Sequence, residues 1–275
     1  MDVWTWIRES KGEIIKIEGR DVPEENRFDK SETMVIELKE GDRKTLNTLR
    51  RIMMSQIPTI AIEYGEVSHN NGAMKDEMIA MLLGQIPLNV DPDTLDFVRE
   101  QIKFDHGDLD TASFKADNSV IFKLDVTYSQ EKDFVTSGDL VWDPLPGQEE
   151  LFRDKPPRPL YDNINITRLL PGQRLSFRAI AIKGIPSSKA GGHMKWRPVS
   201  QVTVARPQTP EIISGKVRPT RGLRKEHLFV TIESTGVLTP EKILESAWNI
   251  YQIDPDVVKP QRFGMAKRST LGNIE

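Results

Sequence analysis

The sequence predicts an α+β fold in which one α/β layer is interrupted by a β-rich insert. Towards each end of the chain a strand is followed by an amphipathic helix, first over 34–56 and again over 228–252. The residues between these units form short alternating apolar segments separated by turns rich in proline and glycine, a pattern typical of strands. We therefore expect the two strand–helix units to share one sheet, with the middle of the chain inserted between them.

The first strand–helix unit has clear start and stop signals. The segments EIIKIEG (13–19) and MVIELKE (34–40) are rich in β-branched residues in near-alternation with charged ones and predict two strands. Asp42 can accept hydrogen bonds from the N–H groups that follow it, which marks the start of a helix. Pro58 disfavours helical geometry at the residue before it, so this helix should end near Gln56.

The remaining elements follow from the same patterns of periodicity and turn residues. In chain order they are a strand at 59–67, a loop at 69–73, helices at 75–84 and 93–102, a strand at 119–128, an exposed proline-rich excursion at 143–163, two short strands within 165–184, a strand at 201–205, a linker at 206–227, a strand at 228–234 and a helix at 240–252. No internal repeat is present.

Composition excludes several classes of protein. The 275-residue chain has no cysteine, which excludes disulfides, thiolate zinc sites and iron–sulfur clusters. It has no apolar run long enough for a transmembrane helix and no signal peptide at MDVWTWIRES, so we expect an intracellular protein. The net charge of -3 argues against electrostatic binding of nucleic acid by the whole molecule. Two basic segments, 216–225 and 259–268, are compatible with solvated surface or with nucleic-acid contact.

The two long helices are apolar around a wide arc. The apolar residues of the first are Leu46, Leu49, Ile52, Met53 and Met54, and those of the second are Ile243, Leu244, Ala247, Trp248, Ile250 and Tyr251. On the first helix they cover about 200°, whereas packing on one core needs little more than ~100°. Arg51 lies outside this arc and Arg50 lies inside it. Two interpretations stay open: both sides face the chain's own core, with Arg50 extending outward along its stem, or one side is a partner interface.

Signals for catalysis or metal binding are weak. The four histidines (His69, His106, His193, His227) have no metal-binding spacing, and no nucleophile motif is present. The loop 184–195 has small residues before a lysine but lacks the phosphate-loop pattern. The acidic segment FDHGDLD (104–110) fails the calcium-loop spacing. We therefore predict no catalytic residue, no metal and no cofactor.

Residues 47–87 resemble the signature of the RNA polymerase alpha/D family, which includes the archaeal D subunit and the third-largest subunit of eukaryotic RNA polymerase II. The family pattern opens with Asn, a small residue, an aliphatic residue and Arg-Arg, as in NTLRR (47–51). Further matching positions are Ala61, Asn70, Asp76, Glu77, Ile79, Ala80, Gly84, Ile86 and Pro87. Two later blocks, 169–199 and 228–247, are similar to the family's PGQ strand pair with its KGI and HAKW motifs, and to its closing strand, turn and helix.

The resemblance implies that the chain is an assembly subunit and that it does not itself catalyse a reaction. It predicts the RNA polymerase alpha N-terminal-like fold: a discontinuous dimerisation domain (31–67 and 206–254) interrupted by an insert domain (68–205), with an N-terminal extension (1–30) and a C-terminal tail (255–275). The implied partners are a smaller subunit of the L/eleventh-subunit type, the second-largest polymerase subunit and a small zinc-bearing subunit. DNA would be contacted only indirectly, through the complex.

The resemblance also assigns residues to these contacts. The residues expected at the dimerisation interface are Leu46, Leu49, Ile52, Met53, Ile243, Leu244, Ala247, Trp248 and Tyr251. Those expected to dock the second-largest subunit are Arg50, Arg51, Asp76, Glu77, His193, Lys195 and Trp196. Such a subunit would work in the nucleus or the cytoplasm, depending on its source.

Departures from the family pattern leave alternatives open. Leu82 stands where the family has arginine, Gln85 replaces leucine, and the loop before His193 is four residues longer than usual. Many family members carry a cysteine cluster that binds zinc or an iron–sulfur centre. This chain has the cysteine-free segment 104–110 at that place, so neither group is expected here. The missing cysteines and the unusual N-terminus suit a divergent member, such as one from a large DNA virus. The alternatives are a bacterial-style homodimer and a stand-alone enzyme or phosphate-binding protein that uses loop 184–195.

Overall fold

The computed structural model describes residues 1–19, 31–98, 113–187, 194–207 and 226–257, together with the backbone of 104–105 and 108–109. The strands are β1 (Gly12–Glu18), β2 (Thr33–Gly41), β3 (Thr59–Asn70), β4 (Phe104–Asp105), β5 (Asp108–Leu109), β6 (Ser119–Thr127), β7 (Phe134–Thr136), β8 (Val141–Trp142), β9 (Asn165–Arg168), β10 (Arg174–Gly184), β11 (Val199–Ala205) and β12 (Glu226–Ser234). The α-helices are α1 (Val3–Glu9), α2 (Arg43–Ser55), α3 (Asp76–Gly84), α4 (Gln148–Leu151) and α5 (Pro240–Ile253). The predicted α+β fold is confirmed.

The first sheet joins the two ends of the chain. Its strands are antiparallel and lie in the order β1-β2-β12-β11. Helices α1, α2 and α5 share one hydrophobic core with it, because β2 and β12 bury alternate residues such as Met34 and Ile232 against helix residues such as Ile52. Each fully buried side chain of this size stabilises the fold by about 1.5–3 kcal/mol. The expectation that the two strand–helix units share a sheet is confirmed.

Local signals place the two long helices. Asp42 caps α2 and accepts hydrogen bonds from the N–H groups of Lys44 and Thr45, both at 3.1 Å. The helix ends at Ser55, three residues before Pro58, as predicted. Thr239 caps α5 in the same way.

The second sheet contains the middle of the chain, in the order β3-β10-β6-β8. Both of its faces are buried. One face packs against α3 and the loops around it, with Phe122 and Leu83 in the core, and the other carries a smaller cluster that includes Ile180 and Trp196. A strand buried on both faces has an almost continuous apolar sequence, as IAI (60–62) and RAIAI (178–182) show.

The chain crosses between the two sheets twice, and the crossings are adjacent. The first leads from α2 into β3 and the second leads from the 194–198 segment into β11. The buried Thr59 hydroxyl donates to the carbonyl oxygen of Trp196 at 2.6 Å, which joins the two crossings directly. An N–H group at Ser187 also donates to the carbonyl oxygen of Ser55 at 3.1 Å.

An ion cluster links α5 to the residues that follow α3. The Lys242 ammonium donates to both carboxylate oxygens of Asp91, at 2.8 and 2.9 Å, and lies 2.8 Å from Asp93. Burial alone would raise the pKa of Asp91, but the hydrogen bonds from Lys242 and Asp93 outweigh it and hold that pKa below its ordinary value. Burial alone would lower the pKa of Lys242, and its bonds to the two carboxylates raise it instead.

Sheet pairing differs from the predicted domain boundaries. β3 pairs with β10 along its whole length, so 59–67 lies in the second sheet. β11 pairs with β12, so 199–205 lies in the first. Residues 1–18 of the predicted extension form α1 and β1, and both pack into the first layer. Strand pairing is non-local, and the alternation within a strand does not reveal which strand lies beside it.

Two local expectations were wrong, and one strand boundary differs from its predicted position. Within the predicted helix 93–102, the described part forms only a 3₁₀ turn (Pro92–Thr94) before extended backbone at Leu95. The predicted exposed excursion 143–163 contains α4 and buries Phe152 and Leu160. It also buries Gln148, whose amide donates to the carbonyl oxygens of Ala116 and Ser119. Strand β3 also extends to Asn70, into the predicted loop.

Candidate functional site

The residues predicted at the dimerisation interface lie in the chain's own core. In α2 and α5 they pack against each other and against the first sheet, and eight are buried at 4% exposure or less: Leu46, Leu49, Ile52, Met53, Ile243, Leu244, Ala247 and Trp248. Tyr251 is half-buried. The first of the two interpretations of the apolar arc therefore accounts for these eight side chains, which hold the helix pair on its sheet.

A different set of side chains forms the accessible surface of the helix pair. Met54 on α2 and Ile250 and Tyr251 on α5 are half-buried, and Ile253 is 86% exposed. Arg50 is half-buried beside Met54, and its guanidinium donates to the Met54 sulfur at 3.4 Å. Within the described residues, Arg50 has no ion-pair partner.

The N-terminal helix α1 extends this helix layer. Trp6 stacks on Trp248 with ring centroids 4.8 Å apart, and Trp248 lies 5.6 Å from Tyr251. The Trp248 indole N–H donates to the carbonyl oxygen of Met1 at 2.8 Å, and Trp4 donates to Glu245 at 2.6 Å. Aromatic pairs of this kind contribute about 0.5–1.5 kcal/mol beyond their buried area. They fix α1 beside α5.

A second candidate surface is a cleft of about 750 Å³ between the two sheets. Its walls come from α3 and the residues after it, from the 195–197 segment, from one residue of β3 and from the turn after β12. The residues lining it are Glu63, Glu77, Ala80, Met81, Gly84, Gln85, Pro87, Lys195, Arg197, Thr235 and Val237.

Lys195 is held in this cleft by several contacts. Its ammonium pairs with the Glu63 carboxylate and donates to the carbonyl oxygen of Ile62 at 3.0 Å. It also lies 4.8 Å from the Trp196 ring centre. A Cβ added at Gly84 would lie 3.2 Å from the Ile62 carbonyl oxygen, so glycine there lets α3 approach β3 and the lysine closely. The Lys195 and Glu63 charges therefore compensate each other.

Trp196 anchors the segment that carries Lys195 and Arg197. Its indole is 5% exposed and donates to the carbonyl oxygen of Ile182 at 3.4 Å. The ring lies directly over Gly184, where an added Cβ would be 2.3 Å from its Cε2 atom. The KGI and HMKW motifs are thus complementary parts of one packing contact.

Arg197 lacks the compensation that Lys195 has. Its Nε atom is buried without a hydrogen-bond partner, and the described residues place no carboxylate in an ion pair with it. Burial lowers the pKa of its guanidinium. One signal in the sequence could have found this arginine, because it stands between Trp196 and Pro198, and the structure buries both neighbours.

The predicted docking residues fall into separate places. Glu77 and Lys195 meet at the cleft, whereas Arg51 is exposed on α2. Asp76 is exposed and accepts a hydrogen bond from Asn70 at 2.6 Å. His193 lies outside the described residues, as do the basic segments 216–225 and 259–268 and part of the loop 184–195.

The described residues show no arrangement typical of a metal centre. Among them, no group of three or more histidine, aspartate or glutamate side chains is placed to hold an ion. Within the same ranges, no helix has the length and apolar character needed to cross a bilayer.

Comparison with known protein families identifies the family to which this two-sheet structure belongs. The sequence pattern of the family described as the RNA polymerase Rpb3/Rpb11 dimerisation domain matches residues 36–252. This range begins in β2, ends in α5 and includes the second sheet and the cleft. The chain belongs to this family. The resemblance to the RNA polymerase alpha/D family is confirmed.

Relatives of this Rpb3/Rpb11-family chain are polymerase subunits. It is 36% identical over 177 residues to the DNA-directed RNA polymerases I and III subunit rpac1 of Dictyostelium discoideum, covering 60% of this chain and 47% of the relative. It is 32% identical over 174 residues to subunit RPAC1 of Saccharomyces cerevisiae, covering 58% and 49%. It is 31% identical over 156 residues to the DNA-directed RNA polymerase subunit Rpo3 of Methanosphaera stadtmanae, covering 57% and 50%. The chain described here thus spans about half the length of these relatives.

Proposed function

We propose that this chain is a non-catalytic assembly subunit of a multisubunit DNA-directed RNA polymerase. The observation that carries the proposal is the family match across both layers, which includes the helix pair α2–α5 on its shared sheet. Its polymerase relatives support the same role. Catalysis would then belong to other subunits, and the protein would work where its polymerase works, in the nucleus or the cytoplasm. A viral source stays a prediction.

The first partner in this proposal is a smaller subunit of the L/eleventh-subunit type. Because the predicted interface residues are buried in the chain's own core, they would act by holding α2 and α5 in place. Direct contact would come from the accessible side chains beside them, chiefly Met54, Ile250, Tyr251 and Ile253. Such side chains bury apolar area at the centre of an interface and gain the associated hydrophobic free energy.

The same proposal assigns the second-largest polymerase subunit to Arg50, Arg51 and the cleft that contains Glu77 and Lys195. Arg50 suits such a contact, because a half-buried guanidinium with no described ion pair can bind a carboxylate at little further desolvation cost. A small zinc-bearing subunit is the third proposed partner, and its contact residues are not assigned. The stand-alone phosphate-binding alternative is not favoured.

Co-expression with the small partner tests the heterodimer. We expect one stable complex with the summed mass of two chains, measured by size-exclusion chromatography with light scattering. Ile250→Glu should weaken it at least about tenfold, since it would bury a charge without a partner. Ile15 is 50% exposed on the edge strand β1, and Ile15→Glu is the matched control. The proposal is wrong if the unsubstituted chains do not associate, or if both variants bind equally well.

Reconstitution with the larger subunits tests the docking residues. Arg50→Glu should abolish polymerase assembly and leave the heterodimer largely folded, while Arg51→Glu, at an exposed position, should have a smaller effect. Co-purification of all subunits with tagged Arg50→Glu protein would contradict this assignment.

A further inference from the structure

The charges in the cleft do not balance around Arg197. Lys195 is paired with Glu63, and both side chains are largely buried, at 13% and 20% exposure. Glu77, on the α3 wall of the cleft, is exposed. Arg197 is left as a half-buried cation whose Nε atom meets neither water nor a hydrogen-bond acceptor. The burial of this N–H group costs free energy in the isolated chain, because no hydrogen bond offsets its desolvation.

The walls beside Arg197 indicate what kind of group could compensate it. Ala80, Met81, Pro87 and Val237 give the cleft an apolar surface, and Met81 is 49% exposed. Glu77 lines the same cleft without a cation partner among the described residues, and it would repel a dianion such as phosphate more strongly than a single carboxylate. A single carboxylate flanked by aliphatic groups fits both the charge and the apolar walls.

We propose that the cleft receives a segment of the second-largest polymerase subunit that carries an aspartate or glutamate beside aliphatic side chains, with Arg197 as the anchor for the carboxylate. This inference rests on the proposed function, because it needs a neighbouring subunit in the complex. Arginine is the residue best suited to such a contact, since its guanidinium can donate two parallel hydrogen bonds to a carboxylate. The volume of about 750 Å³ accommodates a few side chains, as an extended segment requires.

Zero-length crosslinking in the assembled polymerase tests the contact directly. Arg197→Lys places a primary amine at this position, and a carbodiimide joins an amine only to a carboxylate that touches it. We expect a crosslink from the substituted position to an aspartate or glutamate of the second-largest subunit, identified by mass spectrometry. The Lys195–Glu63 pair provides an internal control, because its crosslink within the chain shows that the cleft is intact. Crosslinks from the substituted position to this chain alone would overturn the inference.

A neutral substitution separates this role from a structural one. Arg197→Gln removes an uncompensated charge, so the thermal unfolding midpoint of the chain should stay the same or rise. The same variant should reduce retention of the neighbouring subunit about tenfold or more, because the partner's carboxylate loses its cation. Arg178→Gln is the matched control, since Arg178 is half-buried on β10 and already lies 3.6 Å from Glu66.

Three further outcomes would overturn the inference. A lower unfolding midpoint for Arg197→Gln would show that the arginine is compensated within the chain. Full retention of every subunit by that variant would show that no partner carboxylate depends on it. Stabilisation of the free chain by inorganic phosphate, lost in Arg197→Gln, would assign the cleft to a small anion. Each of these leaves the heterodimer intact, whereas failure to bind the small partner would contradict the proposed function itself.

Discussion

Replacing Gly184 with alanine tests how the 194–198 segment is held at the cleft. The added Cβ would lie 2.3, 2.6 and 2.7 Å from three carbons of the Trp196 indole, whereas non-bonded carbons pack at about 3.5–4.0 Å. The ring must therefore withdraw by about 1 Å or more from a site where it is 5% exposed. Overpacking typically costs about 1–3 kcal/mol, and losing a buried tryptophan's contacts costs about 3–5 kcal/mol. We expect the free energy of unfolding to fall by about 3 kcal/mol.

Urea denaturation of the purified full chain measures this effect, and a double-mutant cycle assigns it. In a Trp196→Leu background the clash disappears, so Gly184→Ala should then cost less than about 1 kcal/mol. The single Gly184→Ala variant should also lower the thermal midpoint by about 6–12 °C. If Gly184→Ala costs the same in both backgrounds, the loss does not come from the indole, and the assigned packing of this segment is wrong.

Other predictions concern the cap of α2, the hydrogen bond between the two chain crossings, and the ion cluster at Lys242. Asp42→Ala should lower the free energy of unfolding by about 1 kcal/mol, because two N–H groups of α2 lose their acceptor; urea denaturation, with retained helical circular dichroism, checks this. Thr59→Val should cost about 1–3 kcal/mol in the same assay, because a buried carbonyl oxygen loses its donor. Lys242→Met should lower the free energy of unfolding by about 0.5–1 kcal/mol at neutral pH, because the Lys242–Asp91 ion pair is partly exposed. Asp91 has a lowered pKa when folded, so this difference should persist above its ordinary pKa of 3.8 and vanish as the pH falls further. A pH-independent cost would show that the lysine acts by packing alone.

Strong local signals made the long helices predictable. Asp42 and Thr239 cap α2 and α5, and Pro58 ends the first, so both helices lie within one or two residues of their predicted bounds. The separation of the two arginines by helical geometry also agrees with the structure, because Arg51 is exposed and Arg50 is half-buried. These properties depend on side chains that are only a few residues apart, so they can be read directly from the sequence.

Non-local relations were harder to predict. β3 pairs with β10, which lies more than a hundred residues further along the chain. β11 pairs with β12, and β12 joins the first sheet by pairing with β2, nearly two hundred residues before it. The apolar arc of α2 was too wide for one contact, yet the structure fills it with α5 and the sheet, and periodicity alone does not distinguish such neighbours from a second subunit. Arg197 was not singled out within its loop, because an arginine in a loop is usually solvated. Only its buried neighbours, Trp196 and Pro198, set it apart.

The strand order of the first sheet determines when, during synthesis of the chain, this sheet can finish folding. β2 pairs with β12, as Met34 does with Ile232, so nearly two hundred residues must be made before this pair can form. The second sheet has all its strands between 59 and 184 and can close first. Until β12 and α5 follow, β2 has an unpaired edge and α2 an uncovered apolar face, both open to wrong association. A small subunit that binds the α2–α5 surface, as proposed, would therefore recognise only chains whose translation has passed α5, and the discontinuous layer would then prevent truncated products from being incorporated.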